Sequence, residues 1–299
     1  MGAAPSFPGY RTVFISDVHL GTRGCQAELL LDFIRSVECR KLFLVGDIVD
    51  GWKLKSGWFW PQAHNDVVQK LLRLARKGVE VIYIPGNHDD RIRDYCGVHF
   101  GGVVVARDWI HEAADGRRYL VTHGDEFDGV VTHAKWLAFL GDWGYRALLS
   151  LNTHWNLVRR RLGFGYWSLS AFVKVKVKNA LQFIENFERA VADEARRRGV
   201  DGVICGHIHK AEMREIDGVL YVNDGDWVES CTAVVEHFDG RLEILDWSRL
   251  RGWSPLERRA ASPPVPETPE PVAAFAGLDL DALATGGFPG GGQIGSFSR

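Results

Sequence analysis

The chain has 299 residues, 46% of them hydrophobic, and a formal net charge of -2. That supplies enough apolar material for a substantial core, and a balance this close to neutral excludes the global basic field of a dedicated nucleic-acid binder. Five cysteines, Cys25, Cys39, Cys96, Cys205 and Cys231, are odd in number and include no C-x-x-C pair, so reduced thiols in a cytosolic protein are expected. The first residues lack a basic segment followed by an apolar one, which predicts no export by that route. Met1, Gly2 and Ser6 match a minimal myristoylation pattern, which an ordinary flexible start also explains. No stretch reaches the apolar length that spans a bilayer.

In chain order, β-forming runs over residues 12–15, 41–45, 79–84 and 119–122 predict strands, with helices over 27–37 and 63–77 between the first of them. A further strand is predicted over 202–205. After it the period shortens: strands are predicted over 211–216, 219–223, 231–238 and 241–247, with Asp217-Gly218 and Asp239-Gly240 marking hairpin turns. Alternating strands and helices followed by repeated strands predict an α/β fold of two facing sheets flanked by helices. Residues 1–253 read as one domain carrying an insertion over 130–187. Beyond Trp253, Pro255, Pro263, Pro264, Pro266, Pro269 and Pro271 precede Gly286-Gly287 and Gly290-Gly291-Gly292, so 254–299 is expected to be a disordered tail with a weak helical tendency over 278–283.

Five of the predicted strands are followed by a short polar cluster: Asp17-Val18-His19, Gly46-Asp47-Ile48-Val49-Asp50, Gly86-Asn87-His88-Asp89, His123-Gly124 and Gly206-His207-Ile208-His209. Loops at the carboxyl ends of strands converge on one crevice, so residues distant in sequence become neighbours there. Asp17, His19, Asp47, Asn87, His123, His207 and His209 form a mixed oxygen and nitrogen donor set without thiolate. Such a set suits Mn, Fe, Zn or Co rather than a structural Cys-type zinc. It is complete for two ions, and two ions about 3.5–4 Å apart grip a phosphate and lower the pKa of a water between them. Metal-assisted hydrolysis of a phosphoester or phosphoanhydride is the chemistry these residues point to. His64, His99, His111, His133, His154 and His237 lie outside the clusters and read as surface or packing residues.

Taken in order, D-x-H, G-D-x-x-D, G-N-H-D, a His before Gly, and G-H-x-H resemble the calcineurin-like metallophosphoesterases. The resemblance implies a four-layer α/β/β/α sandwich and two divalent ions, Mn foremost. It implies that Asp17, His19, Asp47 and His209 hold the first ion, and that Asp47, Asn87, His123 and His207 hold the second, with Asp47 bridging. His88 would contact the phosphate or protonate the leaving group. Asp89 and Asp50 would orient His88 and the loop backbone, although an Asp after a strand is also a common helix N-cap.

The connection between His123 and His207 is longer than a plain core needs. Over 130–187, aromatic residues such as Trp136, Trp143, Trp155 and Trp167 are interleaved with eight cations, among them Arg159, Arg160 and Arg161, against only Asp142 and Glu185, a net of about +6. That mixture suits a bilayer interface, while a helical cap packed on the sandwich is the plainer reading. A core with such an insertion, together with His123-Gly124-Asp125-Glu126-Phe127-Asp128, is similar to the UDP-2,3-diacylglucosamine pyrophosphohydrolase group of bacterial lipid A biosynthesis. The resemblance covers residues 11 to about 247. It implies a helical lid over the metals, a nucleotide-lipid or phospholipid substrate, and a cytoplasmic enzyme held peripherally at the inner membrane. That group's best-known members carry Arg where His88 stands, the His form being the general phosphoesterase version. A soluble phosphoesterase acting on nucleotides, nucleic-acid ends or phosphoproteins is the second reading, and a non-catalytic scaffold the third.

Overall fold

Residues 9–130 and 169–252 are described by the structure, a computed structural model. The first sheet contains β1 (Tyr10–Ile15), β2 (Cys39–Val45), β3 (Glu80–Ile84), β4 (His99–Phe100), β5 (Val103–Val105), β11 (Thr232–Glu236) and β12 (Leu242–Asp246). Its order is β12-β11-β1-β2-β3-β5-β4. The second contains β6 (Trp109–Glu112), β7 (Arg118–Val121), β8 (Gly202–Cys205), β9 (Glu212–Ile216) and β10 (Val219–Asn223), in the order β6-β7-β8-β10-β9. β1, β2, β3 and β5 run parallel, as do β7, β8 and β10.

Three apolar layers bind these sheets to their helices. Outside the first sheet, α1 (Ala27–Ser36) turns Leu30, Phe33 and Ile34 inward and α3 (Gln62–Arg76) turns Val67 and Leu71, residues three and four apart that share one helix face. Between the sheets lie Phe14, Phe43, Val45, Ile82, Tyr119, Val121, Ile204 and Val222, with the Phe14 and Phe43 rings stacked at 5.0 Å. Outside the second sheet, α4 (Leu169–Arg197) presents Phe187, Val191, Ala192 and Ala195 to Leu120, Val203 and Tyr221. Each large side chain buried in this way contributes about 1.5–3 kcal/mol. The layers are helix, sheet, sheet, helix, as the motifs imply.

The predicted strands fall within a residue or two of the observed ones, with one informative difference. β11 stops at Glu236 instead of running on to residue 238, because His237 N–H turns to bond Arg241 carbonyl in the hairpin, and it starts after Cys231, whose φ is +53°. The short strands β4, β5 and β6 and the helix α2 (Gly51–Ser56) were not predicted. Of the expected insertion, residues 131–168, which include Trp136, Trp143, His133, His154 and Arg159 to Arg161, lie outside the described residues, and from Leu169 the chain is α4. The expected tail over 254–299 also lies outside them. No described helix is long and apolar enough to cross a membrane.

Candidate metal centre

The clusters gather where β1, β2, β3, β7 and β8 end. The segments after β1 and β2 are zipped together by backbone bonds: Asp17 N–H to Gly46 carbonyl, His19 N–H to Asp47 carbonyl, Leu20 N–H to Ile48 carbonyl and Asp50 N–H to Leu20 carbonyl. Val18, Leu20 and Ile48 point into the core, so the alternate residues Asp17, His19 and Asp47 face the crevice. Reaching that arrangement takes left-handed backbone at Asp17 (φ +48°), His19 (+53°), Asp47 (+51°), His207 (+73°) and His209 (+56°). Side chains with a Cβ rarely accept this conformation, and such departures concentrate at working sites. Two motif glycines answer to crowding. A Cβ on Gly46 would collide with the His123 ring, and one on Gly206 with Ser16 and the Asp17 carboxylate.

The donors converge in three overlapping groups. Asp17, His19 and His209 place one ligand atom each within 4.8 Å of one another, and so do Asp47, His123 and His207, and His19, Asp47 and His88. Asp47 lies between the groups: its Oδ2 is 3.5 Å from His123 Nε2 and 3.9 Å from His19 Nε2, while its Oδ1 accepts from His88 N–H at 2.8 Å. His209 Nε2 stands 3.1 Å from Asp17 Oδ1 and 3.4 Å from His19 Nε2. Gly86, next to Asn87, packs so closely on Asp47 Oδ1 and the His123 ring that a Cβ there would collide with both, which brings the loop after β3 to the same crevice.

The donors also fit divalent cations chemically. Both amide atoms of Asn87, Nε2 of His123 and Oδ1 of Asp17 are buried without a hydrogen-bond partner among the described residues, although buried polar atoms are nearly always satisfied. Second nitrogens are tied back, as in imidazoles that ligate metals. His123 Nδ1 lies 2.9 Å from Val45 carbonyl, His19 Nδ1 lies 3.2 Å from Asp50 Oδ2, and His207 Nε2 lies 2.7 Å from Asp128 Oδ1. Each leaves its other nitrogen as the available donor. Against burial, which would strip their charge, Asp17 and Asp50 push His19 up to about 10, and Asp47 pushes His123 up to about 10. Burial would likewise raise Asp17, yet His209 and His19 hold it well below the usual carboxylate range.

Asp50 fulfils both of its expected roles. Its Oδ1 accepts from Lys53 N–H at 2.8 Å and caps α2, while its Oδ2 lies 3.2 Å from His19 Nδ1 and 3.0 Å from His88 Nδ1. Burial opposes its ionisation, and the bonds to His19 and His88 more than offset that, so its carboxyl titrates below the usual range. Asp89 orients the loop backbone, as expected, but not His88. Its oxygens are occupied by Ile48 N–H (2.9 Å), Gly86 N–H (2.5 Å) and the Tyr83 hydroxyl, so it fastens the β2 and β3 loops to each other and leaves His88 to Asp50. His88 lies against Trp52, with ring centroids 4.3 Å apart and the planes tilted by 30°, and meets the edge of His19 at 4.7 Å.

Several supporting residues were not anticipated. Ser16 hydroxyl bridges Asp17 Oδ2 (2.7 Å) and Asp224 Oδ1 (2.5 Å), and Asp17 Oδ2 also accepts from His207 N–H. Arg93 grips both oxygens of Asp125 at 2.6 and 2.8 Å, joining the segment after β3 to that after β7. The acid-rich run after His123 hinted at Asp125 and Asp128. Nothing local in the sequence marks Ser16 or Asp224.

Residues 10–211 match the family described as calcineurin-like phosphoesterase. A protein named UDP-2,3-diacylglucosamine hydrolase from Neisseria gonorrhoeae is 28% identical over 224 residues, covering 72% of this chain and 88% of the relative. One of the same name from Porphyromonas gingivalis is 28% identical over 264 residues, covering 78% and 95%. A solved structure of Vps29 from Entamoeba histolytica aligns with 79% of this chain and 98% of its own at 13% identity and a TM-score of 0.37, a likeness too weak to argue from. Fold, converging donors and a match across most of the chain lead to one conclusion: the chain belongs to the calcineurin-like phosphoesterase family.

Proposed function

We propose that this metal-dependent phosphoesterase hydrolyses the diphosphate of a nucleotide-linked lipid, with UDP-2,3-diacylglucosamine the first candidate. Water adds at one phosphorus, the P–O–P bridge breaks, and UMP and 2,3-diacylglucosamine 1-phosphate leave. The observation that carries the reading is the gathering of Asp and His donors in one crevice, with Asp47 Oδ2 3.5 Å from His123 Nε2 and 3.9 Å from His19 Nε2; the names of the relatives supply the substrate class. In this reading Asp17, His19, Asp47 and His209 hold one ion and Asp47, Asn87, His123 and His207 the other, Mn being the first choice over Fe, Zn or Co. Two bound ions supply charge neutralisation at the phosphoryl oxygens and a lowered water pKa.

The chain's own contribution is orientation and proton transfer. His88 N–H fixes Asp47 Oδ1, so Oδ2 is the oxygen presented to both groups. The His88 side chain is 23% exposed, with Nδ1 3.0 Å from Asp50 Oδ2 and Nε2 3.9 Å from Asp47 Oδ2. It is thereby placed to contact the phosphoryl group and protonate the departing oxygen. The part of the insertion that precedes α4 would hold the acyl chains, and a cytoplasmic enzyme would work peripherally at the inner membrane.

His88 in the place of Arg favours a second reading, a soluble phosphoesterase for simpler esters. Metal-supplemented turnover of detergent-dispersed UDP-2,3-diacylglucosamine, compared with bis(p-nitrophenyl) phosphate, separates the two. UMP release that vanishes with chelator supports the lipid reading. Diester hydrolysis without UMP release would establish the soluble one.

A further inference from the structure

The segment from Gly51 to Asn65 carries Trp52, Trp58 and Trp60 and the cations Lys53 and Lys55 with no acidic residue. α2 buries none of its six residues. Trp52 is 46% exposed and Trp58 77% exposed, and Lys53 and Lys55 are exposed beside them. Lone exposed aromatics are ordinary on soluble surfaces. Two exposed indoles beside two exposed lysines in so short a stretch have instead the composition of a bilayer interface, where rings lie at headgroup depth and cations meet lipid phosphates.

The segment is held rigidly in this pose. Leu54 lies against Gly21, and Asp50 caps the helix. Phe59 and Trp60 set their rings edge-on to the buried His64, whose Nδ1 accepts from Gly21 N–H at 3.0 Å. The Arg23 guanidinium covers Phe59 at 4.7 Å. Trp58 thus projects outward between neighbours that face in, and adopting this pose at a membrane would require little reordering. The rim also adjoins the crevice. The Trp52 ring lies tilted against His88, and a notch of about 180 Å³ beside His88 is lined in part by Lys55, Asp90, Arg91 and Ile92.

We propose that Trp52, Lys53, Lys55 and Trp58 form a docking rim that seats the mouth of the metal crevice on an anionic lipid bilayer. The inference rests on the lipid-substrate reading and deepens it by naming a surface outside the insertion. Charge complementarity selects the bilayer. A nucleic-acid groove would need cations along a longer track, and the chain as a whole is net -2.

The test floats the full-length protein with phosphatidylcholine vesicles, with or without phosphatidylglycerol, at low salt. The triple variant Lys53→Gln, Lys55→Gln, Trp58→Ser is compared with wild type, and bis(p-nitrophenyl) phosphate hydrolysis serves as the folding control. Wild type should prefer the anionic vesicles, and the variant should partition at least about tenfold more weakly with diester hydrolysis unchanged. Equal partitioning of the two proteins would overturn the rim. So would failure of wild type to bind, or tighter binding to a single-stranded oligonucleotide. None of these results touches the substrate reading, which stands or falls on UMP release from detergent-dispersed substrate.

Discussion

The sandwich keeps buried acids and histidines at both ends of its sheets, and the two ends are built on opposite terms. At the amino end of β1, Glu236 accepts from Arg11 (2.6 Å) and Ala114 N–H (2.8 Å) at Oε1, and from Thr12 (2.6 Å) at Oε2, which also lies 2.8 Å from His111 Nε2. The residues supplying these side chains lie in regular strands, and the acid ties β1 and β11 to β6 of the other sheet. At the carboxyl end of β1, Asp17, Asn87 and His123 keep unsatisfied atoms, and the backbone enters left-handed conformations at five of the seven expected donors. Burial of charge is therefore not what marks a site. The Glu236 carboxylate is saturated by strand partners and holds the sheets together, with His111 Nδ1 left unpaired among the described residues, whereas at the other end several unsatisfied atoms belong to the expected donors, as a cation site requires.

The largest break in that comparison should come from Asp47, which stands between His19 and His123. Asp47→Ala should lower kcat by at least about 10³-fold while circular dichroism stays native. Near-native turnover would dissolve the two-ion reading. His88→Ala should lower kcat by about 10²-fold with bound metal unchanged, and parallel loss of metal would make His88 a ligand instead. Asp50→Asn touches both His19 and His88, so a roughly tenfold loss of kcat together with weaker metal retention is expected, measured as activity against free Mn concentration.

At the opposite end the expected loss is stability alone. Glu236→Gln should cost about 2–3 kcal/mol, read as a lower Tm, with kcat unchanged per folded molecule. Burial opposes ionisation of Glu236, but His111, Thr12 and Ala114 N–H depress it from 4.5 to about 2. A depressed acid stabilises fully above its unfolded value and loses that contribution as pH falls through its folded one. The Tm gap between wild type and Glu236→Gln should accordingly shrink as pH drops from 4.5 toward 2. A gap that widens would assign the stabilisation to another group.

The metal end should show a pH dependence of the same sense in a higher range. His19 and His123, pushed up to about 10, hold protons that an incoming ion must displace. Apparent Mn affinity should rise with pH, with proton release visible as buffer-dependent heats in calorimetry. Affinity independent of pH would mean that these rings are not the ligands.

How far the sequence foretells this comparison differs between the ends. The metal end was legible because its donors follow β-runs such as residues 41–45 and carry glycines that only close-packed loops require. The pairing of Asp50 with both His19 and His88 was half legible: proximity in the motif suggested a role, while the shared Oδ2 needed coordinates. Asp89 misled because adjacency to His88 in sequence does not fix where a carboxylate points. The Glu236 end was invisible, since its partners lie up to 225 residues away and each alone looks like ordinary strand polarity. Three-residue strands such as β5 escaped for a related reason, having too few residues to display a period.

The most direct measurement is metal content. After dialysis against Mn and removal of loosely bound ion, mass spectrometry should find two ions per chain in wild type, two in Glu236→Gln and fewer than one in Asp47→Ala. Fewer than one ion in wild type, or equal content in wild type and Asp47→Ala, would contradict the account.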